Sequence, residues 1–246
     1  MSDSKQTALV TGANKGIGFE TARQLAQRGY VVWLGCRDEA RGVAAAKALA
    51  KDGDVRFVRL DVTDGESVRA AAARIGDETG ALDVLVNNAA VLLGDDGPAS
   101  GVALEAVQRT FDVNLYGVLR VTQAFLPLVR RAKAGRIVNV SSTMGSITAL
   151  TDPNSVLAPL LSQYPNFAYA STKSALNALT AWLDVELRGT PIKVNSVCPG
   201  YNATDMNNHT GTQHPSEGAK VVVRAATLGA DGPSGTFFDA NGSVGW

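Results

Sequence analysis

The chain is poor in the residues that build disulfide scaffolds and metal sites. Its 246 residues include two cysteines, Cys36 and Cys198, and two histidines, His209 and His214. Cysteines so far apart in sequence exclude a closely spaced disulfide framework and a thiolate zinc site. The histidines lie in a polar stretch and read as solvated loop residues, so no metal is expected. An excess of one charge is also missing, because 23 Lys and Arg balance 23 Asp and Glu. Without a basic surplus, nucleic acid is not an expected partner. No apolar run approaches the roughly 18 residues of a membrane span. The start, Met1-Ser2-Asp3-Ser4-Lys5-Gln6-Thr7, has no signal-peptide core. Repeats, linkers and low-complexity segments are absent too. A cytoplasmic enzyme with a small-molecule substrate is the simplest setting.

What is present is a regular alternation of short apolar runs and helical patterns. Strands are expected at Ala8-Leu9-Val10, at 30–34, 55–60, 82–86, 136–140 and 192–197, and briefly at 235–238. Helices are expected between them, including a long one over about Leu104 to Arg131. Apolar strands joined by helical crossovers imply a parallel sheet covered on both faces, and right-handed crossovers make it doubly wound. The expected fold is therefore α/β, a seven-stranded Rossmann sheet in a single domain over residues 1–246. In such sheets ligands bind at the carboxyl ends of the strands. The chemically informative residues fall there: Gly12, Arg37, Asp61, Asn88, Ser142 and Pro199-Gly200, each after its own strand.

Gly12, Gly16 and Gly18 follow the first strand and open a helix. In that context glycines allow a tight turn and let a pyrophosphate approach the helix N-terminus. The second strand ends Cys36-Arg37, with Cys36 where an NAD binder places its carboxylate. Arg37 suits a 2′-phosphate, and Lys15 adds a second positive charge. NADP(H) is therefore the expected cofactor, although Asp38 would favour NAD if the register were shifted by one. Late in the chain, Tyr169-Ala170-Ser171-Thr172-Lys173 puts a phenol and an ammonium on one helix face. An ammonium beside a phenol lowers a pKa that is about 10 unperturbed and suits the phenol to proton transfer at neutral pH.

Taken together, Thr11-Gly12 to Gly18, Asn87-Asn88-Ala89-Ala90, Asn114, Ser141-Ser142, Tyr169 with Lys173, and Pro199-Gly200 resemble the short-chain dehydrogenase/reductase family along essentially the whole chain. Asn14-Lys15-Gly16-Ile17-Gly18, Cys36-Arg37-Asp38, Cys198-Pro199-Gly200 with Thr204-Asp205-Met206, and the ending through Trp246 are most similar to its monomeric carbonyl reductases. The resemblance implies reversible reduction of aldehydes and ketones with NADPH. It implies Tyr169 as general acid, Lys173 lowering its pKa and bonding the nicotinamide ribose, and Ser142 donating to the substrate oxygen. Asn114 would hold a water that links Lys173 to solvent. Asp61 and Val62 would contact adenine, Asn88 and Ala89 the adjoining cofactor surface, and Pro199, Gly200 and Thr204 the nicotinamide side. Two departures stand out. Ala90 occupies a place where the family usually has glycine, which requires a negative φ. Ser142 and Tyr169 are 27 residues apart, longer than the family's common spacing. That insertion, about 143–168, reads as a loop with a short helix, and a monomer is expected. Substrate choice falls to the insertion, to Val91 to Asp96, and to a loop at about 201–215 that reads as a mobile lid. The alternative function is a catalytically silent NADP-binding sensor or scaffold, which usually loses the tyrosine or lysine retained here.

Overall fold

Alternation of side chains sets the layers. In the computed structural model, which describes residues 5–155, 157, 159, 163 and 165–246, seven strands form one sheet. They are β1 (Thr7–Thr11), β2 (Val31–Cys36), β3 (Val55–Arg59), β4 (Val84–Asn87), β5 (Arg136–Val140), β6 (Lys193–Val197) and β7 (Thr236–Phe238). Their order is β3-β2-β1-β4-β5-β6-β7, and every neighbouring pair is parallel. Ala8, Val10, Val32, Leu34, Val84, Val86, Val138 and Val140 point to one face; Leu9, Trp33, Leu85, Ile137 and Val194 point to the other. This period of two, buried on both sides, is what a covered parallel sheet requires.

Helices α1 (Gly16–Ala26), α2 (Glu39–Leu49) and α8 (Pro215–Ala226) cover the first face through residues such as Leu25, Leu49 and Val222. Helices α3 (Gly65–Thr79), α5 (Val118–Val129) and α7 (Phe167–Leu187) cover the second through Ile75, Phe125 and Leu183. Asp38 caps α2 by accepting from Arg41 N at 2.9 Å, and Asp64 caps α3 from Glu66 N at 2.9 Å. Asp38 is therefore occupied as a helix cap, which removes the one-residue register that would have favoured NAD.

The helix expected from about Leu104 to Arg131 runs without a gap from Leu104 to Val129, but its winding changes on the way. It comprises α4 (Leu104–Phe111), a π-helical segment Asp112–Gly117, and α5. Periodicity cannot reveal such a segment, because the apolar stripe resumes on both sides of it. Its widened turn carries Asn114 inward to 1% exposure, and π-helical turns concentrate at functional places. In the segment after β5, a 3-10 turn Thr143–Gly145 leads to a short helix, α6 (Ile147–Thr151), at the start of the expected insertion. Ser146 Oγ and Thr148 Oγ1 donate to the Gly245 and Trp246 carbonyls at 2.7 and 2.9 Å. Val156, Ala158, Leu160, Leu161 and Tyr164 of the same expected insertion lie outside the described residues. On the α5–α7 surface, Trp182 is 73% exposed, so the described residues do not cover it.

A buried polar ladder crosses the sheet beneath the ends of β4, β5 and β6. Asn87 Nδ2 donates to Asn139 Oδ1 at 2.9 Å, Asn139 Nδ2 to Thr180 Oγ1 at 2.8 Å, and Thr180 and Ser196 share a 2.8 Å bond. It registers α7 against the central strands, the site's floor. No helix among the described residues is long and apolar enough to cross a membrane.

Candidate active site

The strand order reverses between β1 and β4, and a cleft opens there at the carboxyl edge. It forms a cavity of about 880 Å³. One end is the glycine turn, with Gly12, Asn14, Lys15, Gly16, Ile17 and Gly18, beside Arg37, Asp61 and Val62. The middle is Asn88, Ala89, Pro199, Gly200 and Thr204. The far end holds Ser142, Tyr169 and Lys173. Every sequence-nominated residue lines this one space except Asn114.

The glycine turn is built by close approach. Gly12 has φ +63°, and a Cβ there would sit 2.9 Å from Ala89 Cα. Thr11 Oγ1 accepts from Asn88 N and Ala89 N, both at 3.0 Å, while Asn88 Nδ2 donates to Thr11 O at 2.9 Å. Asn88 thus braces the turn with its side chain as well as lining the cavity, a role that motif spacing did not show. Ala90 meets its requirement, since Asn208 and His209 are the positive-φ residues other than glycine among the described residues.

At the adenosine end the two expected cations differ. Arg37 makes no hydrogen bond or ion pair among the described residues and lines the cavity, whereas Arg41 is paired with Asp38 at 3.3 Å. Lys15 is bound to Asp205, which also meets His209 Nε2 at 2.9 Å. Its charge is therefore already compensated, and Asp205 was not foreseen as its partner. Burial pushes the Asp61 carboxyl up, but hydrogen bonds from Thr63 and the nearby Arg37 and Arg59 bring it below its ordinary value. A free guanidinium, a glycine cradle and an ionised carboxylate in one cleft fit a dinucleotide.

At the other end, β5 stops at Val140, and Ser142 caps the 3-10 turn by accepting from Met144 N at 3.2 Å. That turn lies directly on α7, because a Cβ at Gly145 would fall 2.5 Å from the Lys173 backbone. Lys173 is 3% exposed, and its Nζ donates to Val140 O at 2.8 Å. Burial brings its pKa down to about 8. Its Nζ stands 5.5 Å from the centre of the Tyr169 ring. The expected lowering of the phenol is not found. Burial raises the Tyr169 pKa, Cys198 raises it further, and a hydrogen bond with Ser142 only partly offsets them. The carbonyl of Val140 holds the ammonium instead, so the phenol stays protonated.

Asn114 is sealed rather than open. Its Oδ1 accepts from Val91 N at 2.8 Å, and its Nδ2 donates to Val91 O at 2.9 Å and Thr172 Oγ1 at 3.2 Å. Both amide protons of its side chain are therefore already engaged. The 201–215 loop is bonded within itself. Ala203 N donates to Gln213 O at 2.8 Å, Tyr201 and Thr210 hydroxyls share a 2.6 Å bond, and Asn202, 3% exposed, donates to Pro199 O. His209 and His214 border the cavity mouth, and His214 Nδ1 caps α8 by accepting from Ser216 N at 3.2 Å.

The short chain dehydrogenase family profile matches residues 6–215. The chain belongs to that family. Among its relatives, mouse carbonyl reductase [NADPH] 1 is 37% identical, covering 96% of this chain and 97% of the relative. The (+)-neomenthol dehydrogenase of Capsicum annuum is 33% identical, covering 96% of each. Among solved structures, NADPH-bound carbonyl reductase from chicken fatty liver superposes with a TM-score of 0.86 at 28% identity, over 98% of this chain and 99% of that one. Like other short-chain dehydrogenases, the protein is an oxidoreductase, built on one Rossmann-type domain.

The Lys173 shift has a pH signature. Below about pH 8 the amine is charged both folded and unfolded, and the folded state carries the full desolvation cost. Between pH 8 and its ordinary value of 10.5, the unfolded chain binds more protons, so stability rises with pH. Relative to Lys173→Met, the wild-type chain should gain on the order of 2 kcal/mol between pH 8 and pH 10 in urea unfolding. Parallel curves for the two proteins would contradict the assigned burial.

Proposed function

We propose that this protein is an NADPH-dependent carbonyl reductase, converting aldehydes or ketones reversibly to alcohols. The observation that carries the reading is the convergence of Ser142, Tyr169 and Lys173 at one end of the cavity whose other end holds the glycine turn and unpaired Arg37. The names of the mouse and chicken relatives, both carbonyl reductases linked to NADPH, support it. When bound, the reduced nicotinamide supplies the hydride. The chain's part is position and proton transfer. Tyr169 Oη holds a proton and delivers it to the carbonyl oxygen, and its raised pKa keeps that proton in place at neutral pH. Ser142 Oγ donates to the same oxygen as negative charge develops. Lys173, bonded to Val140 O, would turn its remaining donors toward the nicotinamide ribose. Arg37, which lines the cavity unpaired, would hold the 2′-phosphate through charge-assisted bonds.

The substrate end is lined by Val91, Leu92, Leu93, Met144, Tyr201 and Met206, with no formal charge among them. That lining favours a neutral, largely apolar carbonyl compound over a carboxylate-bearing one. The protein is proposed to act as a cytoplasmic monomer.

Tyr169→Phe should lower kcat by a factor of about 10² to 10⁴ across a panel of ketones, aldehydes and quinones, with NADPH binding retained. Near-full turnover in that variant would remove the assigned acid. No NADPH consumption by the wild-type protein on any of the panel would favour a silent cofactor-binding protein instead. Arg37→Ala should raise KM for NADPH by roughly 10-fold or more while changing KM for NADH little. Equal losses for both cofactors would refute the 2′-phosphate contact. Light scattering should give the mass of one chain; a stable tetramer would instead place exposed Trp182 in an interface.

A further inference from the structure

Helix α7 begins without a cap of its own. Asn166 stands at its N-cap position and makes no side-chain capping bond. The first intrahelical bond comes only from Ala170 N to Asn166 O, at 3.0 Å. Three earlier N–H groups, those of Phe167, Ala168 and Tyr169, thus need partners from elsewhere. All three find them in one distant loop. Phe167 N donates to Gly97 O at 3.0 Å. Ala168 N donates to Asp96 Oδ1 and Tyr169 N to Asp96 Oδ2, each at 2.9 Å. Asp96 Oδ1 also accepts from Gly97 N at 2.8 Å, which fixes the carboxylate within its own loop.

We propose that Asp96 is a positioning residue for Tyr169, capping the catalytic helix in trans across the fold and setting where the phenol stands in the cleft. The inference rests on the reading of Tyr169 as the proton donor. A carboxylate at a helix N-terminus satisfies unpaired donors and opposes the positive end of the helix dipole. Here one of those donors is the backbone N–H of the reactive residue itself, so displacement of the cap displaces Tyr169. The loop that carries Asp96 is in turn held firmly. Asp96 N donates to Leu93 O at 3.2 Å, Asp95 is ion-paired with Arg109 on α4, and Val91 is bonded at both its N and its O to Asn114. Val91, Leu92 and Leu93 line the substrate end of the cavity. The same few residues therefore shape the substrate wall and anchor the proton donor. A substrate that pushes on this wall pushes on the start of α7.

The test compares Asp96→Ala and Asp96→Asn with the wild-type enzyme, counting competent sites by NADPH fluorescence titration and normalising kcat to them. A misplaced reacting group costs up to about 10²-fold. Asp96→Ala should lower kcat per NADPH-binding site by at least about tenfold, with NADPH affinity within about twofold of wild type. Asp96→Asn, whose amide oxygen still accepts, should recover part of the loss. If Asp96→Ala does not fold, Asp96→Asn carries the test alone, and its per-site kcat should still fall severalfold. A per-site kcat within twofold of wild type in a folded variant overturns the proposal, as does NADPH affinity falling in step with kcat. Neither of these outcomes touches the Tyr169 assignment, which stands or falls on Tyr169→Phe.

Discussion

The site depends on a lysine amine buried against the end of a central strand. Lys173 Nζ, almost without access to water, holds the carbonyl of Val140 at 2.8 Å. Burying an ammonium is costly, and one neutral carbonyl offsets only part of that cost, which is why its pKa falls to about 8. The surroundings make the arrangement tolerable. Gly145 lets the turn after β5 lie on the α7 backbone, and the Asn87, Asn139, Thr180 and Ser196 ladder fixes α7 over the sheet. With β5 and α7 locked together in this way, Ser142 at the end of one and Tyr169 at the start of the other meet at a single point of the cleft.

That coupling also explains why the phenol is not lowered by the lysine here. Their spacing in sequence puts the two side chains on one helix face, and proximity alone would lower the phenol. In three dimensions the ammonium is committed to Val140, and the phenol is buried beside Cys198 and Ser142. The raised phenol is the protonated form a reduction needs. A phenolate would be the form required by the reverse reaction, and in this environment it is the disfavoured one.

The fold was legible because its signals are local and repeated. Each strand carries its own apolar run, and each informative residue follows a strand directly, so Gly12, Arg37, Asp61, Asn88, Ser142 and Pro199 could be assigned to one edge without any knowledge of distant contacts. What escaped was the bonding between segments remote in sequence. Asp96 caps a helix through Ala168, 72 residues away, Lys15 pairs with Asp205 across the cleft, and Asn139 joins a ladder that spans three strands. No spacing rule connects such positions, because the topology alone brings them together. The π-helical segment around Asn114 was hidden for a different reason, since one widened turn barely disturbs a helical stripe.

These remote contacts share a direction. The 91–97 loop is bonded to the start of α7, and the 201–215 loop meets the glycine turn through Asp205 and Lys15. Both loops border the cavity and are tied to its other walls, one to the start of α7 at Tyr169 and one to the glycine turn at Lys15. In an enzyme built this way, the residues that choose the substrate are not free to drift independently of those that act on it. Through these bonds a substitution at Leu93 is expected to reach Tyr169 by way of Asp96, and one near Met206 to reach Lys15 by way of Asp205. Altered specificity should therefore be accompanied by altered rate when it arises in the first loop, and by altered cofactor affinity when it arises in the second.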